Sequence, residues 1–180
     1  MNYLEIRRHT DNEGDDLSAE GVAAAEQIGR AGLHPPYTLF VSTGAARADQ
    51  MVTILRSAAG QDDVPVRTET GLRSTVEDRW REAGKATGGG DLEAMRRVDP
   101  QLVEQESALL GAALEGLVVQ LPEGGRALVV GHSPTNEAAV LGLTGQLVQP
   151  LGKGAGVLLT VDGATYTLER LAGGDAVAGS

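Results

Sequence analysis

Cysteine is absent from the 180-residue sequence, which excludes a disulfide framework, a thiolate nucleophile and a thiolate metal site. Lysine is nearly absent as well: Lys85 and Lys153 stand alone, so arginine carries almost all the positive charge. Guanidinium groups suit a bidentate grip on phosphate, and a bias toward Arg, Ala and Gly codons would leave the same composition. No run approaches the ~20 apolar residues of a membrane span, and the first residues, Met-Asn-Tyr-Leu-Glu-Ile-Arg-Arg, lack the apolar stretch of a signal peptide. The chain therefore reads as a cytoplasmic protein with no membrane contact. Positive charge is also in deficit. Lys and Arg total 15 against 25 Asp and Glu, a formal net charge of -10, which argues against nucleic acid or anionic lipid as a partner. Any anion site must then be a local positive spot built from a few arginines.

What is present is ordinary for a soluble globular chain: 41% hydrophobic and 22% charged residues, enough for a single domain over residues 1–180. A frayed tail is expected after about residue 172. Asn2 to Ile6 reads as a buried strand, followed by a polar, acidic loop over 10–16. Ser18 is placed to cap a helix over Ala19 to Ala31. Thr38 to Ser42 is a short apolar strand, and Ala45 to Ala59 carries Ala48, Met51, Val52 and Leu55 at helical spacing. Val64 to Arg67 is a third, short strand. The charged stretch 69–90 reads as a loop ending in Gly88-Gly89-Gly90. Asp91 caps a short helix to Val98, and Asp99-Pro100 starts a longer one to about Gln120. Arg126 to Gly131 is the clearest central strand. Ser133 then serves as N-cap, with Pro134 at the first helical position. A hairpin, Val157 to Val161 and Thr165 to Leu171, turns at Asp162-Gly163. This order predicts an α/β fold: a three-layer sandwich with a mostly parallel central sheet, helices on both faces and at least one antiparallel edge strand.

Three strand ends carry residues suited to chemistry on an anion: Arg8-His9 after the first strand, Arg47 after the second and His132 after the central one. An α/β sheet places its site beyond such carboxyl ends. A neutral imidazole beside guanidinium groups can attack a phosphoryl group while the arginines hold its oxygens. Arg7 should point to the face opposite Arg8 and play a structural or rim part, and His34 should lie at the surface. Each of these residues taken singly fits a solvated strand end equally well.

Four segments in order resemble the histidine phosphatase superfamily, the phosphoglycerate-mutase-like fold. Arg8-His9-Thr10 resembles its Arg-His-Gly signature, and Leu17-Ser18-Ala19-Glu20-Gly21 its Leu-Thr-x-x-Gly. Ser42-Thr43-Gly44-Ala45-Ala46-Arg47-Ala48-Asp49-Gln50 resembles Ser-Ser-Pro-Leu-x-Arg-Ala-x-Gln. Leu128-Val129-Val130-Gly131-His132-Ser133 resembles the strand that delivers a second histidine. The resemblance implies a metal-independent phosphatase without cofactor, acting on a small phosphorylated substrate or a phosphoprotein and releasing phosphate. It makes His9 the transiently phosphorylated nucleophile, Arg8 and Arg47 the anion clamp, and His132 a ligand of the same group. Thr10 and Ser133 would contact the substrate.

The departures are specific. Thr10 replaces the glycine, Gly44 the proline, and Met51 a threonine. The acid that protonates the leaving group is missing from both usual positions. The glutamate that follows a Leu-x pair in the mutase-like branch is here Ser74, and the aspartate that follows the second histidine in the acid-phosphatase branch is Ser133. The available carboxylates are Glu77, the first choice, then Asp78, Glu82 and Glu137. A phospho-ligand binding module that keeps the anion pocket but turns over poorly is the alternative reading. A phosphomutase is a weaker one, and a structural domain with residual motifs a third.

Overall fold

Residues of both parities are apolar along the central strands, so a sheet made from them needs cover on both faces. The computed structural model describes residues 1–89 and 91–173. In order it contains β1 (Asn2–Arg8), β2 (Asn12–Glu13), β3 (Asp16–Leu17), α1 (Ala19–Ala31), β4 (Leu39–Ser42), α2 (Ala46–Ala58) and β5 (Val66–Thr68). After a 3-10 turn (Thr70–Leu72) come α3 (Glu77–Thr87), α4 (Leu92–Val98), α5 (Pro100–Gln120), β6 (Arg126–Gly131), α6 (Thr135–Thr144), β7 (Gly156–Asp162) and β8 (Thr165–Leu171). The main sheet runs β5-β4-β6-β1-β7-β8. Its first four strands are parallel, and β7 and β8 are antiparallel additions at one edge. The chain is a three-layer α/β sandwich of the expected kind.

Alternation along the strands divides the core. Phe40, Leu128 and Val130 face α1 and α2, where they meet Ala25, Ile28, Met51, Val52 and Leu55. Leu4, Ile6, Val41, Ala127 and Val129 face the other layer, with Trp80, Leu102, Leu110, Leu114 and Val140. Two glycines make that second layer close-packed. A Cβ on Gly142 of α6 would lie 1.8 Å from the Ser107 carbonyl oxygen of α5, and one on Gly111 would lie 2.7 Å from the Gly142 carbonyl carbon. No side chain fits there, so α6 is held rigidly against α5 below the end of β6.

The structure corrects several boundaries. β1 runs two residues beyond Ile6, because Arg7 and Arg8 still pair with Val130 and Gly131 of β6. The acidic loop folds into the small hairpin β2–β3, turning at Gly14 with φ 60°. The stretch 69–90 holds a helix, α3, which buries only Trp80 and Ala83; two apolar anchors leave no amphipathic stripe to read. β5 begins at Val66 rather than Val64. Helix α6 starts at Thr135, with Pro134 in the cap position and no side-chain cap. Ser133 is not the N-cap, since its hydroxyl donates to Glu137 instead. The expected frayed tail lies almost wholly outside the described residues. Among the described residues, no helix is long and apolar enough to cross a membrane.

Candidate active site

Register brings three strand ends to one level. Arg8 pairs with Gly131, and Ser42 with Val130, so His9, Thr43 and His132 leave adjacent parallel strands side by side. The helices that follow β1 and β4 pack on one face, and the helix that follows β6 packs on the other. The chain therefore opens a crevice at this point, where such sheets hold their ligands.

His9 is buried at 6% exposure. Its Nδ1 lies 2.7 Å from the Thr10 carbonyl oxygen, an acceptor only, so Nδ1 carries the hydrogen and Nε2 keeps a lone pair. Arg47 confirms the assignment, because its Nε donates to His9 Nε2 at 3.3 Å. The Arg47 Nη2 donates to His132 Nδ1 at 3.3 Å, which leaves His132 Nε2–H to donate to the Thr43 hydroxyl at 2.8 Å. The two imidazoles stand edge to face with centroids 5.3 Å apart. Burial, reinforced by Arg47, Arg8 and Lys153, pulls His9 down to about 4 against the stabilising Thr10 carbonyl. Burial and Arg47 pull His132 down to about 3. Both rings are neutral at pH 7, as a nitrogen nucleophile requires.

Arg8 and Arg47 bring two guanidinium groups to the imidazoles. Arg8 sends Nη1 to the Leu151 carbonyl oxygen at 2.8 Å, and its buried Nε has no partner. The third nitrogen of Arg47, Nη1, pairs with Asp15 at 2.7 Å. Lys153, one of the two lysines, also acts on His9 while its ammonium group bonds Asp11 at 2.8 Å; the local positive spot is thus not arginine alone. Arg73 adds to it from beyond β5, where it acts on His132.

A cleft of about 340 Å³ opens from Arg47 and His132 past Ser133, Ser74, Glu77 and Trp80. Glu77 thus comes to the site, half exposed and ion-paired with Arg73 at 3.2 Å. Asp78 and Glu82 do not: Asp78 pairs with Arg81 at the surface, and Glu82 is exposed. The Thr10 side chain does not line the cleft: it is buried and donates to the Gly21 carbonyl oxygen at 2.7 Å. Its hydroxyl ties the loop to α1, while its carbonyl sets the His9 tautomer. Gly21 itself admits no side chain there, since a Cβ would lie 1.9 Å from the Asp11 carbonyl oxygen. Ser133 lines the cleft and donates to Glu137 at 2.5 Å. Glu137 is fully buried, and burial pushes it up to about 7 against the Ser133 hydrogen bond and Arg8.

Sequence reasoning did not assign Thr43, Asp15, Lys153 or Arg73 to the site. Thr43 had a signal, since it follows β4 as His9 follows β1. The others come from loops whose paths no periodicity reveals.

These buried groups make stability depend on pH in opposite directions. Between pH 6.5 and 4.5 the unfolded chain takes up protons on His9 and His132 that the native state refuses, so their contribution falls with pH. Glu137 binds its proton more tightly when folded, so its contribution rises as pH falls through 7 toward 4.5. Replacing His132 by Gln should flatten the acid loss by one proton, and replacing Glu137 by Gln should steepen it by one. Each change is worth about 1.4 kcal/mol per pH unit. Urea unfolding at pH 7, 6 and 5 reads both slopes, and identical slopes in all three proteins would refute the assignment.

The sequence matches no family model and no curated protein. The structure does have counterparts. A phosphoglycerate mutase from Bacillus anthracis str. Sterne superposes with a TM-score of 0.70 at 18% identity, over 98% of this chain and 95% of its own. Phosphoserine phosphatase from Entamoeba histolytica, in complex with 3-phosphoglyceric acid, gives 0.69 at 16%, over 95% and 96%. The alpha-ribazole phosphatase from Shigella flexneri gives 0.67 at 15%, over 94% and 95%. The chain therefore has the phosphoglycerate-mutase-like fold along nearly its whole length.

Proposed function

We propose that this chain is a phosphatase of the histidine phosphatase superfamily. It would hydrolyse a phosphomonoester, of a small metabolite or a phosphoprotein, through a phosphohistidine on His9 without a metal. The carrying observation is the His9 ring itself: buried, neutral, its Nδ1–H fixed on Thr10, its Nε2 lone pair turned to Arg47. Arg47 now bridges the two imidazoles, and in this reading the phosphoryl group would take that place. With substrate bound, Arg47 and Arg8 would move onto the phosphoryl oxygens, where fixed cations offset the charge spread over them. The dianion would raise the basicity of His132, and the Thr43 hydroxyl accepts or donates, so either tautomer of that ring is allowed. His9 Nε2 attacks phosphorus as the ester P–O bond breaks; water then attacks phosphorus, the P–N bond breaks and phosphate leaves.

That two of the structural neighbours are named as phosphatases supports the reading. The leaving oxygen also needs a proton. Glu77 is the carboxylate on the cleft wall and the donor expected from the sequence; Glu137 reaches the cleft only through Ser133. The cleft volume suits a phosphoryl group with a small leaving group, or one side chain of a phosphoprotein.

The test is to trap the intermediate. Quenching turnover of a labelled aryl phosphate in base should leave acid-labile label on the peptide that carries His9. Acid-stable label, or none at all while turnover proceeds, would sink the mechanism; binding without turnover of even activated esters would favour a phospho-ligand binding module. Arg47→Ala should lower kcat/KM for the same ester about 10²- to 10³-fold.

A further inference from the structure

Turnover through phospho-His9 needs one group that gives a proton to the leaving oxygen and later takes one from water. Glu77 reaches the cleft, but it is half exposed and its carboxylate is already ion-paired with Arg73. The opposite wall offers a different arrangement. Ser133 follows His132 directly and faces the cleft. Behind it, Glu137 is wholly buried, with Oε2 at 2.5 Å from the Ser133 hydroxyl and Oε1 without any hydrogen-bond partner. A carboxylate there has only the Ser133 hydroxyl and, weakly, the backbone amides of Glu137 and Leu151 to offset full burial; protonated on Oε2, the acid donates to the Ser133 oxygen instead and leaves only Oε1, a weak acceptor, unpaired.

The other buried pair of this kind is built differently. Glu106 on α5 receives both Ser74 and the Trp80 indole N–H, the latter at 3.1 Å, on one oxygen. It ties α3 and the turn before it to α5 as an acceptor.

We infer that Ser133 is the proton donor to the leaving group and that Glu137, reached only through Ser133, supplies and recovers that proton. The inference rests on the phosphatase reading given above. In the first step His9 Nε2 bonds to phosphorus, the ester P–O bond breaks, the Ser133 hydroxyl proton passes to the leaving oxygen, and the Glu137 proton passes to Ser133. This leaves alcohol, phospho-His9 and a Glu137 carboxylate. In the second step water attacks phosphorus and its proton returns through Ser133 to Glu137. The P–N bond breaks, and neutral His9, neutral Glu137 and phosphate dianion remain. Arg8, from β1, acts on Glu137 through its charge, and the Glu137 and Leu151 backbone amides act on it as donors, while Glu106, from α5, is already engaged by its own donors. Burial holds Glu137 at about 7, so much of it carries a proton at neutral pH, and a phosphate dianion beside Arg8 raises that fraction.

The test compares wild type, Glu137→Gln, Ser133→Ala and Glu77→Gln on dinitrophenyl phosphate, whose leaving group needs no proton, and on an unactivated alkyl phosphate. Both Glu137→Gln and Ser133→Ala should keep kcat/KM for the aryl ester within about threefold and lose about 10²- to 10³-fold on the alkyl ester. Glu137→Gln should accumulate phosphoenzyme and lose the alkaline limb of kcat/KM near pH 7. Glu77→Gln, on the cleft wall, should change both esters by the same factor and keep the alkaline limb. Equal losses on both esters, an unchanged pH limb, or leaving-group dependence in Glu77→Gln instead would overturn the inference while wild-type phosphoenzyme formation still upholds the phosphatase reading. A wild type that forms no phosphoenzyme and hydrolyses neither ester overturns both.

Discussion

A His9→Ala variant is expected to lose at least about 10³-fold in kcat/KM on an aryl phosphate, while its unfolding midpoint and its affinity for phosphate change little. The ring makes three separable contributions. As nucleophile it has no substitute: among neighbouring side chains, His132 has both nitrogens engaged, Nε2 by Thr43 and Nδ1 by Arg47. As an anion ligand it contributes little, because a neutral acceptor nitrogen does not attract phosphate, and the charge is met by Arg8 and Arg47. As a packing element it fills a small buried site near the end of β1, held through Thr10. At acid pH its removal is also a relief, since a buried ring that resists protonation costs stability below pH 6.5. Activity should therefore collapse with the fold and the anion pocket intact. Retained hydrolysis would exclude His9 as nucleophile, and lost phosphate binding would mean that the ring serves the pocket rather than the reaction.

The readable parts of this chain are those where one physical rule acts alone. Arg126 to Gly131 is a continuous apolar run and came out as β6; Ser18 caps α1 because its hydroxyl accepts from Gly21. His9, Arg47 and His132 were legible as a group because each follows a strand, and parallel strands bring their carboxyl ends together. The misreadings arise where tertiary partners compete. Ser133-Pro134 has the form of a helix start, yet the serine hydroxyl is taken by a buried glutamate four residues on. Thr10 sits beside His9 in sequence, but its side chain turns inward to Gly21. Helix α3 was missed because Trp80 and Ala83 alone anchor it. No pattern in a single chain announces that Glu5, in the middle of a strand, is fully buried.

Arg7→Met is expected to destabilise the protein by about 3–5 kcal/mol, the range for removing one partner of a buried ion pair. Arg7 is 1% exposed and Glu5 is 0% exposed. Arg7 Nε donates to Glu5 at 2.8 Å, and its remaining nitrogens donate to the carbonyl oxygens of Gly154, Ala172 and Gly32. Glu5 takes its second bond from the Tyr37 hydroxyl at 2.6 Å. Removing the guanidinium leaves a buried carboxylate with one neutral donor and three carbonyls without theirs. The double variant Glu5→Gln with Arg7→Met should recover part of the loss, because no uncompensated charge is then buried. For a chain of this size the single variant should melt about 10 °C lower. The same change should reach the chemistry, since the Gly154 N–H bonds the carbonyl oxygens of Arg8 and His9, and Arg7 anchors Gly154 from the other side of β1. Activity measured well below the new melting point should fall severalfold through kcat, with KM little changed, because the position of His9 is altered more than the charge of the clamp. Urea unfolding supplies the decisive reading. A cost below about 1 kcal/mol would place Arg7 with ordinary surface pairs and remove the buried network as the anchor of the strand that presents His9.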